Sequence, residues 1–293
     1  MTNPKIVAER KFRPAKQEAQ DACRNVETPQ TQSESYKLAF QDNEFLLRDD
    51  LRPIRFQLEL LKPELLLDEA KIASTFVFYG SARIPAPAAA QERVALARTE
   101  WDQRVAQRLA EKSKYYEEAR ALARIAAAYP VDADGKRNFV VCSGGGPSIM
   151  EAANRGASDI DQSSIGLNIT LPHEQAPNPY VTPELSFQFH YFALRKMHFT
   201  LRARALAVFP GGFGTFDEFF ELLTLIQTGK MKRIPVLLFG RDFWTRVVDF
   251  EALAEEGVIG PADLDLISWV ETADEAWSVV NRFYDAGGPG EGR

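Results

Sequence analysis

The chain has 293 residues, of which 45% are hydrophobic and 26% are charged, and its formal net charge is −6. This composition is typical of a globular protein with room for one large α/β domain and an extension. The acidic balance disfavours binding to nucleic acid, and two cysteines are too few for a disulfide framework. Because no apolar stretch suits a signal peptide or a membrane helix, we expect a cytoplasmic protein without a membrane partner.

The amino-terminal part predicts a tail and then a helix. Residues 1–40 are polar and would bury too little apolar surface to offset the entropy of ordering, so we expect a mobile tail. Residues 41–70 form a predicted helical extension that begins near Pro53. Apolar side chains recur there at helical spacing and are expected to pack: Ile54, Leu58, Leu61 and Leu65. Residues 287–293 are predicted to be a flexible carboxyl terminus.

Residues 71–286 alternate short apolar runs with helical stretches. The runs are predicted strands at 75–79, 138–142, 165–169, 205–209, 235–239 and 267–270. The helical stretches are predicted at 88–129, 194–204 and 216–228, and a capping box at 272–275 begins a last helix. This alternation predicts an α/β protein with a Rossmann-like, doubly wound parallel sheet flanked by helices, after the amino-terminal helical extension. Ligands of such sheets bind beyond the carboxyl ends of the strands.

The turn after the first predicted strand contains Gly80, Ser81 and Arg83. The hydroxyl and the guanidinium can both donate hydrogen bonds to phosphate oxygens. The same residues also fit a plain strand-to-loop turn with a surface arginine. Both interpretations stay open from the local sequence.

The turn after the second predicted strand holds three glycines, Gly144, Gly145 and Gly146, before a helix expected to begin at Pro147. Free backbone N–H groups at a positive helix end would bind an anion. Ile149 stands where a dinucleotide fingerprint needs its third glycine, so NAD is not expected. Close packing of strand and helix, without a ligand, is the alternative.

The segment 210–218 reads Pro-Gly-Gly-Phe-Gly-Thr-Phe-Asp-Glu and follows a predicted strand. It lacks the Gly-Lys-Ser/Thr ending of an ATPase phosphate loop. Thr215 and Glu218 have the spacing of a capping box, so Glu218 either closes a helix or faces a ligand, and the two roles are compatible. At a helix amino terminus, the dipole would keep such a carboxylate ionised.

A basic pair, Arg195 and Lys196, lies on a helical stretch shortly before that segment. It is either a solvated helix face or a site where Arg195 grips an anion with two hydrogen bonds. The three histidines show no metal-ligand spacing, and we predict neither a metal nor a cofactor: His173, His190 and His198. Cys142, at the end of a predicted strand, is expected to be a small core residue.

Together these motifs resemble the LOG (Lonely Guy) family, whose members are often labelled lysine decarboxylases. The resemblance extends over residues 75–283. The family pattern Pro-Gly-Gly-x-Gly-Thr-x-x-Glu matches completely at 210–218, and the Arg-Lys pair matches at 195–196. The glycine-rich turn matches only in part, because many members continue Gly-Gly-Gly-x-x-Gly-Leu-Met-Gly, whereas this chain has Pro-Ser-Ile-Met-Glu at 147–151. That departure and the amino-terminal extension are similar to the longer bacterial branch of the family.

The resemblance implies hydrolysis of the N-glycosidic bond of a nucleoside 5′-monophosphate, such as a cytokinin ribotide or AMP. Arg195 and Glu218 would be the catalytic pair, with ionised Glu218 stabilising the cationic sugar and activating water. The residues implied in phosphate and substrate binding are Ser81, Arg83, Gly145, Gly146, Lys196, Gly211, Gly212, Gly214 and Thr215. The family also implies a homodimer or higher homo-oligomer, as do apolar residues on the predicted long helix.

Two other functions were compared with the same sequence features. A nucleotide-binding or sensing protein would keep the glycine loops without turnover. Amino-acid decarboxylation would need a lysine that holds pyridoxal phosphate in a loop after a strand, and no lysine has that context.

Overall fold

Seven strands form one parallel sheet in the computed structural model, which describes residues 12–22, 26–172 and 176–287. The order across the sheet is β4-β3-β2-β1-β5-β6-β7, and every neighbouring pair is parallel. The strands are β1 Thr75–Tyr79, β2 Val140–Ser143, β3 Ser164–Ile169, β4 Ser186–Phe189, β5 Ala203–Val208, β6 Val236–Phe239 and β7 Ser268–Val270. The predicted fold class, a Rossmann-like α/β sheet flanked by helices, is confirmed.

Helices connect these strands as crossovers on both faces of the sheet. The α-helices are α1 Ala15–Ala22, α2 Asn43–Leu46, α3 Arg52–Glu69, α4 Pro87–Leu96, α5 Glu100–Lys112, α6 Lys114–Ala127, α7 Ile149–Ser158, α8 Phe192–Leu201, α9 Phe213–Gln227, α10 Arg241–Val247, α11 Phe250–Glu255 and α12 Ala273–Asp285. Short 3-10 helices lie at Glu34–Tyr36, Ala39–Gln41, Asp49–Leu51, Pro183–Leu185 and Pro261–Leu266.

The long helix predicted over 88–129 is wrong, because the structure divides it into α4, α5 and α6. Ala97 ends α4 in an extended conformation. The hydroxyl of Thr99 then accepts a hydrogen bond from the Asp102 N–H and caps α5. A threonine hydroxyl competes with the helix for backbone groups, which favours a helix start over a helix interior. The alanine-rich sequence on either side of Thr99 favours helix, and the break between α4 and α5 was therefore not predicted.

Strands β1, β2 and β6 are buried on both faces, as their continuous apolar runs predict. Successive side chains of a strand point to opposite faces. On β1, Val77 and Tyr79 join one core cluster, while Phe76 and Phe78 join the other. Helices α8, α9, α10 and α11 contribute to the first cluster, and α6, α7 and α12 to the second.

Strand β4 is absent from the sequence prediction. Its residues alternate, with Phe187 and Phe189 buried and Gln188 exposed. An edge strand with one covered face gives this pattern rather than a continuous apolar run. The capping box at Thr272 and Glu275, by contrast, is confirmed at the start of α12.

The chain divides into two compact units, residues 1–59 and residues 60–293. The predicted helical extension is present as α3, with Pro53 as its second residue. Its predicted packing stripe is exposed, however: Ile54, Leu58, Leu61 and Leu65. Within the second unit, Leu67 of this helix is buried instead. Arg202 also holds the helix, through salt bridges to Glu64 and Asp68.

Several predictions concern residues outside the described part of the chain, namely much of the tail, Cys23, His173 and residues 288–293. The described section of the tail includes α1. Among the helices that the structure describes, none combines the length and apolarity that crossing a bilayer requires. Leu96 and Trp101 are exposed on α4 and α5, and the predicted oligomer stays a prediction.

The order of strands reverses between β1 and β5, which are neighbours although they are far apart in the chain. The loops that follow these two strands therefore leave the same edge of the sheet side by side. The Ser81 N–H donates a hydrogen bond of 3.1 Å to the carbonyl of Pro210 and joins them. In doubly wound sheets this reversal opens a crevice for ligands.

Candidate functional site

A cavity of about 830 Å³ lies beyond the carboxyl ends of β1, β2 and β5. It brings together eight of the residues that the sequence predicts for the site: Ser81, Arg83, Gly146, Arg195, Gly212, Gly214, Thr215 and Glu218. Three others, Gly145, Lys196 and Gly211, do not line it. The loops therefore meet at one site, as the topology predicts.

Arg195 on α8 and Glu218 on α9 form a buried ion pair at this cavity. Arg195 Nη1 lies 2.9 Å from Glu218 Oε1, and the two side chains are 10% and 14% exposed. The Arg195 Nε donates a second hydrogen bond, of 2.6 Å, to the carbonyl of Leu167 at β3. The guanidinium also stacks 5.1 Å from the centre of the Phe199 ring. These contacts fix the arginine, which in turn orients the carboxylate.

The capping-box interpretation of Glu218 is wrong. Helix α9 begins at Phe213 with Gly212 as its N-cap, and no side chain caps it. Thr215 is therefore the third residue of the helix, and Glu218 lies beyond the first turn, where the backbone N–H groups already have partners. The carboxylate is left to pair with Arg195 and to face the cavity.

Burial raises the pKa of Glu218 to about 7, and the nearby carboxylate of Asp217 acts in the same direction. Arg195 and Lys196 lower this pKa, but they do not compensate for the loss of hydration. Because Glu218 lies beyond the first turn of α9, burial outweighs the expected effect of the helix dipole on its pKa. Near neutral pH, Glu218 populates both protonation states, which suits a group that exchanges protons with a substrate.

The second glycine loop presents open backbone donors at the start of α9. Among the described residues, none accepts a hydrogen bond from the N–H groups of Gly212, Phe213 or Gly214. A Cβ atom on Gly212 or Gly214 would meet no heavy atom within 4 Å, because both glycines border open space. Such N–H groups at the positive end of a helix form a binding site for an oxyanion.

Gly211 has a different role from its two neighbouring glycines. A Cβ atom there would lie 2.2 Å from Thr215 Oγ1, so only glycine leaves room for that side chain. Thr215 is buried and still lines the cavity. Gly211 therefore makes a packing contact that positions the Thr215 hydroxyl, and its contact with substrate stays a prediction.

In the first glycine loop, too, side chains from elsewhere in the fold lie close to the glycine backbone. A Cβ atom on Gly144 would lie 2.5 Å from Arg195 Nη2, and one on Gly145 would lie 2.5 Å from Asn168 Oδ1. Gly145 also has a positive φ of 70° and faces Asn168 instead of the cavity. Helix α7 begins at Ile149, with Ser148 as N-cap at φ 64°, so the predicted start at Pro147 is wrong.

Lys196 does not reach the cavity. Its Nζ lies 3.0 Å from Asp217 Oδ1 and 2.9 Å from Glu221 Oε2, so it ties α8 to the outer side of α9. Consecutive helical residues point in directions about 100° apart, which is why only Arg195 of the pair faces the site. The structure shows Lys196 in a salt-bridge role, and its contact with substrate stays a prediction.

Ser81 and Arg83 lie across the cavity from α9 in the loop after β1. The Ser81 Oγ accepts a hydrogen bond of 3.0 Å from the Arg83 N–H. The Arg83 guanidinium is exposed, lines the cavity and donates no hydrogen bond to any described residue. It is therefore available to an anionic ligand.

Sequence reasoning missed the apolar part of the cavity. Phe213, between two motif glycines, is 97% exposed at the cavity, and Phe192 is 53% exposed. Their position beside recognised motifs is a signal that could have identified them. Further apolar residues complete this wall: Met150, Ile169, Leu171, Phe216 and Val247. A planar organic group would find apolar contacts here while its anionic part meets the glycine loops.

Comparison with known proteins gives a family match and fold neighbours. Residues 150–280 match the model of the family described as "Possible lysine decarboxylase". No curated protein gives a significant match. A solved molybdenum cofactor binding protein from Rippkaea orientalis is 15% identical, with 72% of this chain and 98% of that chain covered and a TM-score of 0.45. The Moco carrier protein from Chlamydomonas reinhardtii is 18% identical, with coverages of 73% and 99% and a TM-score of 0.43.

Proposed function

We propose that the chain, whose residues 150–280 match the model of the family described as "Possible lysine decarboxylase", hydrolyses the N-glycosidic bond of a nucleoside 5′-monophosphate. The products are a free base and ribose 5-phosphate, and AMP or a cytokinin ribotide is the substrate. The observation that carries the proposal is the buried pair of Arg195 and Glu218 beside open N–H groups at the start of α9.

Cleavage of the ribosyl–base bond leaves positive charge on the sugar, as in other glycoside hydrolyses. The bonding electrons depart with the base, which takes up a proton from solvent, and the oxygen of water forms the new bond to the ribosyl carbon while its proton passes through Glu218 to solvent. Ionised Glu218 stabilises the cationic sugar and accepts a proton from that water. Arg195 holds Glu218 Oε1 through Nη1, so the carboxylate stays directed at the reacting carbon.

The 5′-phosphate would bind where the backbone donors are. Gly212, Phe213 and Gly214 offer N–H groups, the Thr215 hydroxyl lies beside them, and Arg83 faces the same cavity. The apolar wall around Phe213 would take the base. In this arrangement the phosphate would contact the backbone N–H groups of the loop, the base would contact the Phe213 ring and the other apolar side chains, and the ribosyl carbon would lie near Glu218.

Amino-acid decarboxylation, which the family description names, does not fit these residues. Pyridoxal phosphate chemistry needs a lysine amine at the site. Among the described residues that line the cavity there is no lysine, and Lys196 is held by two carboxylates outside it. The residue set supports acid–base hydrolysis instead.

An assay of purified protein with AMP tests the proposal. Chromatography should show adenine and ribose 5-phosphate from the wild type, and almost none from Glu218→Gln. The matched control is Glu221→Gln, which changes a carboxylate on the same helix whose partner is Lys196. AMP binding without release of adenine by the wild type would reject hydrolysis and favour the nucleotide-binding alternative.

A further inference from the structure

We infer that Asn178 is a positioning residue for the ligand's anionic group, because it turns the carbonyls of the first glycine loop away from the cavity. This inference rests on the phosphate-binding part of the proposed function. Asn178 belongs to no recognised motif and lies 33 positions after Gly145, one of the two glycines that it holds. It is 8% exposed and does not line the cavity itself.

Three hydrogen bonds connect Asn178 to this loop. Its backbone N–H donates to the Gly145 carbonyl at 2.8 Å. Its side-chain Nδ2 donates to the same carbonyl at 3.1 Å and to the Gly146 carbonyl at 3.0 Å. One buried residue therefore holds two successive carbonyl groups of the glycine loop.

The direction of these carbonyls determines whether the loop presents N–H donors or carbonyl oxygens to a ligand. In a trans peptide the C=O and the following N–H point in opposite directions, and the described residues contain no cis peptide bond. With the Gly145 carbonyl turned to Asn178, the Gly146 N–H points the other way, and Gly146 lines the cavity. No described residue accepts a hydrogen bond from that N–H.

The direction of the next carbonyl, that of Gly146, also affects whether the loop can bind an anion. The Gly146 carbonyl precedes Pro147, which has no N–H, so this peptide carries only an acceptor. A carbonyl oxygen directed into the cavity would repel a phosphate. The hydrogen bond from Asn178 Nδ2 removes that oxygen from the ligand's surroundings.

A buried polar network fixes the orientation of the Asn178 amide. Its Oδ1 accepts a hydrogen bond of 3.1 Å from the Tyr180 N–H, which leaves Nδ2 to face the loop. Nδ2 also lies 2.9 Å from Asn154 Oδ1, so its two hydrogens are shared among three acceptors, and that oxygen accepts a bond of 2.7 Å from Ser143 Oγ. Ser143 Oγ accepts from the Gly145 N–H at 3.0 Å. The Gly145 N–H is used internally, whereas the N–H of Gly146, which lines the cavity, remains available to the ligand.

The experiment compares Asn178→Asp with the wild-type full chain, using inorganic phosphate and ribose 5-phosphate as probes in calorimetric titrations. Aspartate has nearly the same shape, but its ionised carboxylate has no N–H for the Gly146 carbonyl and leaves the Gly145 carbonyl only the backbone N–H of residue 178. Asn138→Asp is the matched control, because Asn138 contacts Ser74 near the start of β1, at the other end of that strand. Thermal melts followed by circular dichroism establish that each variant is folded.

We expect Asn178→Asp to bind both probes at least about tenfold more weakly, as loss of one charge-assisted hydrogen bond implies. Asn138→Asp should bind as the wild type does. In protein labelled with ¹⁵N-glycine, the Gly146 amide resonance, identified by its absence from Gly146→Ala, should shift when phosphate is added to the wild type. The same resonance should not respond in Asn178→Asp.

Unchanged phosphate affinity in a folded Asn178→Asp would overturn the inference and leave the proposed hydrolysis intact. The wild-type resonance decides the matter even if the variant fails to fold, since no shift of Gly146 at saturating phosphate would also overturn it. A wild type that binds phosphate through Gly146 but releases no adenine from AMP would reject the proposed function alone.

Discussion

Glu218→Gln is expected to abolish base release while preserving the fold. The amide has nearly the same shape and keeps an oxygen for Arg195 Nη1, which lies 2.9 Å from the native carboxylate. It has no charge to stabilise the sugar cation and does not accept a proton from water. Loss of a general base typically slows a reaction by about 10²–10⁴-fold, so the rate of adenine release should fall by at least about 100-fold.

The same substitution should raise stability at alkaline pH. The pKa of Glu218 rises from 4.5 to about 7 in the folded protein because of burial. The folded state therefore holds the proton more tightly than the unfolded state, and the wild type loses stability as pH rises from 4.5 through 7. At 1.36 kcal/mol per pH unit this loss is roughly 3 kcal/mol. Glutamine avoids it, so the variant should gain up to that amount at pH 8 and almost nothing near pH 4.5.

Urea unfolding of both proteins at pH 5 and pH 8, followed by tryptophan fluorescence, measures this difference. The control Glu221→Gln replaces a carboxylate with no comparable burial and should show no pH-dependent gain. A Glu218→Gln protein that is less stable than the wild type at pH 8 would refute the burial argument. Wild-type hydrolysis by this variant would refute the catalytic role.

Three further predictions concern the same site. The kcat/KM for AMP should rise with pH through about 7, because ionisation of Glu218 supplies the base, and a flat profile from pH 6 to 8 would argue against this. Adenosine should be at least about a hundredfold poorer than AMP in kcat/KM, since it lacks two or three charge-assisted hydrogen bonds; values within threefold would reject a phosphate site at the glycine loops. Ser148→Gly should raise the free energy of unfolding by roughly 1 kcal/mol, because Ser148 has a φ of 64° that strains a residue with a side chain. A melt showing no gain would contradict that strain.

The fold followed from the sequence where a local pattern carried it. Strands such as β1 and β6 are continuous apolar runs because helices cover both of their faces. Strand β4 escaped because its alternating residues suit an edge position that only the sheet order reveals. Local patterns therefore predicted most of the strands, whereas a strand such as β4 depends on its neighbours in the folded sheet.

Only the motif residues of the site could be predicted from the sequence. Arg195 and Glu218 were identified correctly as neighbours, but Lys196 was grouped with Arg195 by adjacency although the helix turns it away. The raised pKa of Glu218 depends on burial by groups that no spacing reveals. Asn178 acts on a loop far away in the chain. Such long-range effects arise from the packed structure and leave no periodic signal.

The stoichiometry of products from AMP tests the central claim most directly. Wild-type protein incubated with AMP should release adenine and ribose 5-phosphate in equal amounts, while Glu218→Gln under the same conditions releases neither. Intact AMP after prolonged incubation with folded wild-type protein, or products from Glu218→Gln at the wild-type rate, would contradict the assignment of Arg195 and Glu218 as a hydrolytic pair.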